Sequence, residues 1–360
     1  MKRVVLAGGG TAGHIEPALA VARELRRTYP NLEITFLGTR SGLETHLVPQ
    51  AGFQLFTITK VKIARSLSPS LLLAPFALLR SILQSAAILR NTDALIGFGG
   101  YVSGPAYCAA VITRTRIIVH EANAHPGIAN RLGAHLTRYT AIAHPVDNGP
   151  LSSALLAGLP LREDVVSAYR AATSDWSKAR REAKNALGFS PTQPLIFIFG
   201  GSQGSVAINA VIEKSQQSLQ SSGIQILHGV GARNSLPEST GGYRAENYIT
   251  DMATAYLAAD IVISRSGAVT CAEVNTLGRF ALFIPLPIGN GEQELNGRDL
   301  VARGRAEILP QIEFTSEWLI SHIDQLLARS SATPLAGSPV DIEAASKIVA
   351  LVERAVQGDK

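Results

Sequence analysis

Arg3-Val4-Val5-Leu6-Ala7-Gly8-Gly9-Gly10-Thr11-Ala12-Gly13-His14 is the stretch that decides the fold. Arg3–Ala7 is an apolar, β-branched run of the kind that forms a buried strand, and three glycines end it. Beyond them Ile15, Ala18, Leu19, Ala22 and Leu25 recur at helical spacing, with Arg23, Glu24, Arg26 and Arg27 on the opposite face. Pro17 suits the first turn of that helix. The same unit returns later: Leu195–Phe199 reads as a strand, Gly200-Gly201-Ser202-Gln203-Gly204-Ser205 as its loop, and a helix follows. One doubly wound domain seldom needs two such loops. The repeat therefore predicts an α/β chain of two Rossmann-like, doubly wound parallel-sheet lobes facing across a cleft.

Working outward, further strands are expected at Ile34–Leu37, Ala94–Phe98, Ile117–His120, Ala141–Ala143, Gln225–His228, Tyr248–Ile249, Ile261–Ser264 and Ala281–Pro285, with helices between them. Residues 147–194 read as an irregular, polar stretch holding one charged helix. A Ser/Pro/Gly-rich stretch at Ser330–Pro339 precedes a last helix at Ile342–Val356. The division expected is a first lobe over 1–162, with a closing helix within 341–358 packing back on it, and a second lobe over 163–340.

Hydrophobic residues make up 46% of the 360 and charged residues only 17%, which excludes disordered and fibrous classes. Two cysteines, Cys108 and Cys271, cannot build a disulfide framework or a zinc site, in keeping with a reducing compartment. The N-terminus does not read as a signal peptide, and no window holds about 20 uninterrupted apolar residues to span a bilayer. The net charge of +5 admits an acidic partner. Lys178, Arg180, Arg181 and Lys184 read as one solvated helix face, and nucleic acid is not an expected partner.

Gly8–Gly13 is literally G-x-G-x-x-G, the dinucleotide fingerprint. An NAD site would also need an acid at the end of the second strand for the ribose, and Phe36-Leu37-Gly38-Thr39 has none. His14, in the first helical turn, is either a helix-start histidine bonded to a carbonyl or a general base kept neutral by the helix end. The loop Gly200–Ser205 forms an anion nest but carries no Walker lysine. In Ser264-Arg265-Ser266-Gly267-Ala268-Val269-Thr270 a strand again passes through glycine into a helix, and Glu273 falls about one turn inside it. A carboxylate there suits a ribose diol, so the second lobe is expected to bind a nucleotide, although Glu273 alone is equally an N-terminal helix acid.

Six ordered motifs resemble the MurG family of bacterial N-acetylglucosaminyltransferases: Gly-Gly-Thr-x-Gly-His (9–14), Gly-Gly-Tyr-Val-Ser-Gly-Pro (99–105), His-Glu-x-Asn (120–123), Gly-Gly-Ser-Gln-Gly (200–204), Ser-Arg-Ser-Gly-Ala-x-Thr (264–270) and Gln-x-x-Asn (293–296). The resemblance spans essentially the whole chain. It implies the GT-B fold and inverting transfer of N-acetylglucosamine from UDP-N-acetylglucosamine to undecaprenyl-diphospho-N-acetylmuramoyl-pentapeptide (lipid I), giving lipid II for peptidoglycan. By the resemblance Thr11, Ala12, Gly13 and Asn123 contact the donor, Arg162 and Ser202 hold phosphate, and backbone at Ile249 reads uracil. Ala268, Val269, Thr270 and Glu273 would cover diphosphate and ribose, with Gln293 on the sugar hydroxyls. The chain departs from the family pattern at Ala12, Leu159 and Glu292.

The catalytic candidates are His14 and Glu121, with His120 a further possible base. No paired carboxylates suited to a metal-bound diphosphate occur, so neither metal nor cofactor is expected. A polyprenyl acceptor demands access to a membrane. Leu71, Leu72, Leu73, Pro75, Phe76, Leu78 and Leu79, flanked by Lys60, Lys62, Arg65 and Arg80, suggest docking on an anionic surface at the cytoplasmic face of the cell membrane. The bland alternative is a core helix. Rival functions are an NAD-dependent oxidoreductase, a sugar-nucleotide epimerase and a non-catalytic nucleotide-sensing module.

Overall fold

Val4, Val5, Leu6 and Ala7 are completely buried, which places the first strand inside a sheet covered on both faces. The computed structural model describes residues 1–61, 70–287 and 291–358. The chain divides into two compact units, Met1–Arg162 together with the segment from Asp341 onward, and Glu163–Val340.

The first unit runs β1 (Arg3–Ala7), α1 (Ala12–Thr28), β2 (Glu33–Thr39), α2 (Glu44–Gln50), β3 (Gln54–Ile58), α3 (Ser70–Leu89), β4 (Ala94–Gly97), α4 (Gly100–Thr113), β5 (Arg116–Glu121), α5 (Ile128–His135), β6 (Thr140–Ile142) and β7 (Leu155–Leu156). Among the described residues its strands form a parallel sheet in the order β3-β2-β1-β4-β5-β6-β7. Strand residues alternate between faces. Val4 and Leu6 join a core with Ile15, Leu19 and Leu25 of α1, whereas Val5 and Ala7 meet Val102 and Ala106 of α4. The order reverses between β1 and β4, so the loops after these strands flank the crevice where open α/β sheets bind ligands.

The second unit begins with α6 (Glu163–Ala172), α7 (Trp176–Ala186), β8 (Leu195–Phe199), α8 (Val206–Ser221), β9 (Gln225–Gly229), β10 (Tyr243–Glu246) and α9 (Met252–Ala258). It continues through β11 (Ile261–Ser264), α10 (Ala268–Thr276), β12 (Phe280–Phe283), α11 (Glu292–Asn296), α12 (Arg298–Ala302), β13 (Ala306–Ile308) and α13 (Ser316–Ala332). Its parallel sheet has the order β10-β9-β8-β11-β12-β13 and reverses between β8 and β11. The last helix, α14 (Ala344–Gln357), buries Ile348, Val349, Leu351, Val352 and Ala355 in the core of the first unit. Asp341 accepts a hydrogen bond from Leu159 N (2.8 Å), and Tyr29 donates to Glu353 (2.6 Å).

Several sequence expectations need correction. Tyr248–Ile249 is not a strand; the strand is β10, whose outward Arg244 and Glu246 form an ion pair that masks an edge strand as a polar segment. Strands β3, β7 and β13 have no counterpart among the sequence expectations, and two helices rather than one occupy 147–194. The basic cluster on α7 is not one solvated face. Lys184 is buried and, with Arg180, pairs to Asp260 at 2.8 and 2.6 Å. Burial pushes the Asp260 carboxyl up, but Arg180, Lys184 and the Leu195 amide outweigh it and hold the group below its ordinary range. Lys62 and Arg65, and the side chains of Leu71, Leu72 and Leu73, lie outside the described residues.

Candidate active site

At the switch point of the first unit, Thr11 ends the glycine loop in extended conformation and α1 starts at Ala12. The backbone N–H of His14 donates to Thr11 O (3.1 Å), and its Nδ1 lies 3.2 Å from Thr11 Oγ1. The ring sits against the β4–α4 loop. A Cβ on Gly99 would lie 3.2 Å from His14 Cδ2, and one on Gly100 would lie 2.5 Å from Gly9 O. Both glycines hold positive φ, 93° and 77°, so no other residue allows this approach without strain. Ala12 and Gly13 are half-buried in the same turn.

Glu121, at the end of β5, is 3% exposed and its carboxylate is spent on the loop that follows it. Oε1 accepts from Asn123 N (2.9 Å) and Nδ2 (3.1 Å), and Oε2 accepts from Gly127 N and Asn130 Nδ2, each at 3.0 Å. Asn130 also donates to His120 O (3.0 Å) and accepts from Tyr107 (2.8 Å). Glu121 thus orders Asn123 and is turned away from proton transfer with a substrate. His120 is buried against Phe98, with Nε2 on Gly158 O (3.0 Å) and Nδ1 without a hydrogen-bond partner among the described residues. Burial lowers its pKa to about 4, against the raising influence of Gly158 O and Glu121. It faces the core, so it does not serve as a base for an external substrate.

The rival reading as an NAD-dependent oxidoreductase finds no ribose acid in the structure either. Glu33 opens β2 at the wrong end, and the first acid after the strand is Glu44, which no motif signalled because it follows the turn instead of ending the strand. It is completely buried and bonded to Gly10 N, Thr39 N and Thr39 Oγ1, so it offers nothing to a ribose.

In the second unit Ser202 sits in the loop after β8, and Ser205 caps α8. Arg265, read from sequence only as part of a strand–glycine–helix stretch, ties neighbouring loops together. Its Nη1 donates to Ile284 O (2.9 Å) and Pro285 O (3.0 Å), and its Nη2 to Ser205 Oγ (2.9 Å) and Gln311 Oε1 (2.5 Å). Gly267 precedes α10, which carries Ala268, Val269, Thr270 and the buried Glu273. Beside this loop, Gln293 accepts from Leu286 N (2.9 Å). Ile249 packs over Gly229, whose absent Cβ would lie 3.1 Å from Ile249 Cγ1. Beneath the β8 loop, His228 links Tyr243 (2.9 Å) and Asn209 (3.1 Å), and Asn209 in turn donates to Val230 O (2.9 Å). Arg162 closes the first unit. Ser202 and the Arg265–Thr270 loop thus come to one switch point and Thr11 and His14 to the other, with Asn123 in the loop after the neighbouring strand β5.

The glycosyltransferase family 28 N-terminal domain matches residues 4–142, and the family's C-terminal domain matches 195–349. The chain belongs to glycosyltransferase family 28. A Streptomyces coelicolor relative named UDP-N-acetylglucosamine--N-acetylmuramyl-(pentapeptide) pyrophosphoryl-undecaprenol N-acetylglucosamine transferase is 44% identical over 332 residues, covering 90% of this chain and 89% of its own. A Thermobifida fusca relative with the same name is 42% identical over 364 residues, covering 97% and 94%. The crystal structure of Acinetobacter baumannii MurG superposes with a TM-score of 0.72 at 26% identity, over 98% of this chain and 100% of that one. Like this family, the chain is a glycosyltransferase with two parallel-sheet α/β units.

Proposed function

We propose that the chain transfers N-acetylglucosamine from UDP-N-acetylglucosamine to the muramyl-pentapeptide diphospho-undecaprenol acceptor, lipid I, with inversion and with His14 as the base. The relatives' names support the two substrates. The observation that carries the base assignment is the seat of His14 at the first switch point, held by Thr11 and two glycines. In the tautomer where Nδ1–H donates to Thr11 Oγ1, Nε2 keeps its lone pair. An acceptor hydroxyl attacks the anomeric carbon, the bond to the diphosphate oxygen breaks, and the proton passes to His14 Nε2.

The leaving UDP develops negative charge. The N-termini of α8 and α10 and the Ser202 hydroxyl supply donors for it, each dipole contributing roughly 0.3–2 kcal/mol. Among the described residues, Cβ atoms on Gly201 and Gly267 would meet nothing within 4 Å, which leaves backbone there open to close approach by a ligand. In this reading Glu273 takes the ribose diol, Ile249 backbone the uracil, Arg162 a phosphate, and the Gln293 amide N–H a sugar hydroxyl. Thr11, Ala12, Gly13 and Asn123 complete the donor contacts. His14→Ala should lower kcat at least about 100-fold in a radiolabelled transfer assay while the donor KM stays nearly constant. Near-normal turnover would remove His14 from the role.

Membrane docking through α3 is part of the same reading. The helix buries Ser81, Ser85 and Leu89 but exposes Phe76 (71%), Leu79 (55%) and Leu83 (60%), with Arg80 beside them. A helix that buries serines and shows phenylalanine and leucine to the outside is built for an apolar environment there. Among the described residues no helix is long and apolar enough to cross a membrane, so the attachment proposed is peripheral, on the cytoplasmic face.

A further inference from the structure

The carboxylate of Glu44 lies under the glycine loop, and no step above uses it. Its Oε2 accepts from Gly10 N (3.0 Å), and its Oε1 accepts from Thr39 N and Thr39 Oγ1, each at 2.8 Å. Three glycines make room for it. A Cβ on Gly9 would lie 2.9 Å from Oε1, one on Gly38 2.6 Å from Cγ, and one on Gly42 1.8 Å from Oε2. An ionised carboxylate with no exposed surface is costly unless its lone pairs are taken up, and here backbone and threonine donors take them.

We infer that Glu44 is a positioning residue: it occupies, as an internal anion, the place beneath Gly10 and so holds the loop that aims His14. The contacts run in sequence from Glu44 to Gly10, to the adjoining Thr11, and through Thr11 O and Oγ1 to the His14 amide and imidazole. This rests on His14 being the base.

Glu44→Gln keeps the volume but replaces one acceptor oxygen with an NH2 group. Whichever way the amide turns, a donor faces either Gly10 N–H or Thr39 N–H. Thr39→Val removes one bond to the same carboxylate and leaves the Gly10 arm intact. Glu44→Gln should lower kcat roughly 10- to 100-fold and raise the donor KM by a smaller factor, since Thr11 also contacts the donor, as expected when the larger effect is a displaced catalytic group. It should also turn the single-tautomer ¹⁵N signal of the His14 ring into a mixture. Thr39→Val should lose thermal stability yet keep both kcat and the ring signal. In a double-mutant cycle, Glu44→Gln should add little to His14→Ala.

If Glu44→Gln keeps kcat and the His14 ring signal, or if the two substitutions multiply fully, the inference is overturned while His14 as base stands. If His14→Ala turns over normally but Glu44→Gln still disorders the ring, the base assignment fails and the positioning survives. Should Glu44→Gln not fold, Glu44→Asp, too short to reach Gly10 and Thr39 together, takes the same measurements.

Discussion

Acid should loosen the second unit through one histidine. His228 is buried on β9, and Asn209 Nδ2 donates to Val230 O, which fixes the amide so that Asn209 Oδ1 accepts from His228 Nε2–H. Nδ1 then accepts from the Tyr243 hydroxyl (2.9 Å). A second proton would force the Tyr243 hydroxyl to turn from donor to acceptor, and burial lowers the pKa from 6.5 to about 4. Between those values the unfolded chain binds more protons than the folded one, so stability is fully present above 6.5 and is lost as pH falls toward 4. From pH 8 to pH 5 the loss comes to about 2 kcal/mol. With a urea slope of about 2 kcal/mol/M, the midpoint should fall by about 1 M. Both tryptophans, Trp176 and Trp318, lie in this unit, so their fluorescence reports its unfolding alone. His322 stacks on Trp318 at 4.3 Å, and midpoints rather than amplitudes are therefore the quantity to compare. Asp260, held below its ordinary 3.8, titrates outside this window. His228→Gln should lower stability at pH 8 but erase most of the drop to pH 5. A level midpoint in the wild type, or an undiminished drop in the variant, would refute the reasoning.

Arg265→Lys should raise the KM for UDP-N-acetylglucosamine about tenfold, because one ammonium cannot span the two carbonyls, Ser205 and Gln311 that the guanidinium joins. An unchanged donor KM in steady-state kinetics would show that these loops hold their shape without it. Phe76→Asp with Leu83→Asp should weaken sedimentation with anionic vesicles and slow transfer to a long-chain lipid acceptor, while a short-chain soluble acceptor reacts normally. Vesicle binding equal to the wild type would move the dock away from α3.

The two glycine loops, the strands before them and the helices after them are legible in the chain itself. Their signals are local: apolar periodicity over a few residues, and glycines where backbone must approach closely or take positive φ. Gly99 and Gly100 stand in the sequence for the same reason that they seat His14. Edge strands such as β10 are hidden because a strand paired on one side tolerates charge, and the alternation of Tyr243 and Ala245 with Arg244 and Glu246 runs for only four residues. Contacts between distant residues carry no local mark at all. Glu44 reaches Gly10 across 34 positions, Arg265 reaches Ser205 across 60, and Asp341 meets Leu159 across 182. Glu121 and His120 show the same limit. A carboxylate and an imidazole at a strand end are candidate bases in any sequence, and only packing reveals that one binds its own loop and the other is sealed beside Phe98. The desolvation that separates a working base from a structural one depends on what surrounds a side chain in space, and only the tertiary structure decides that.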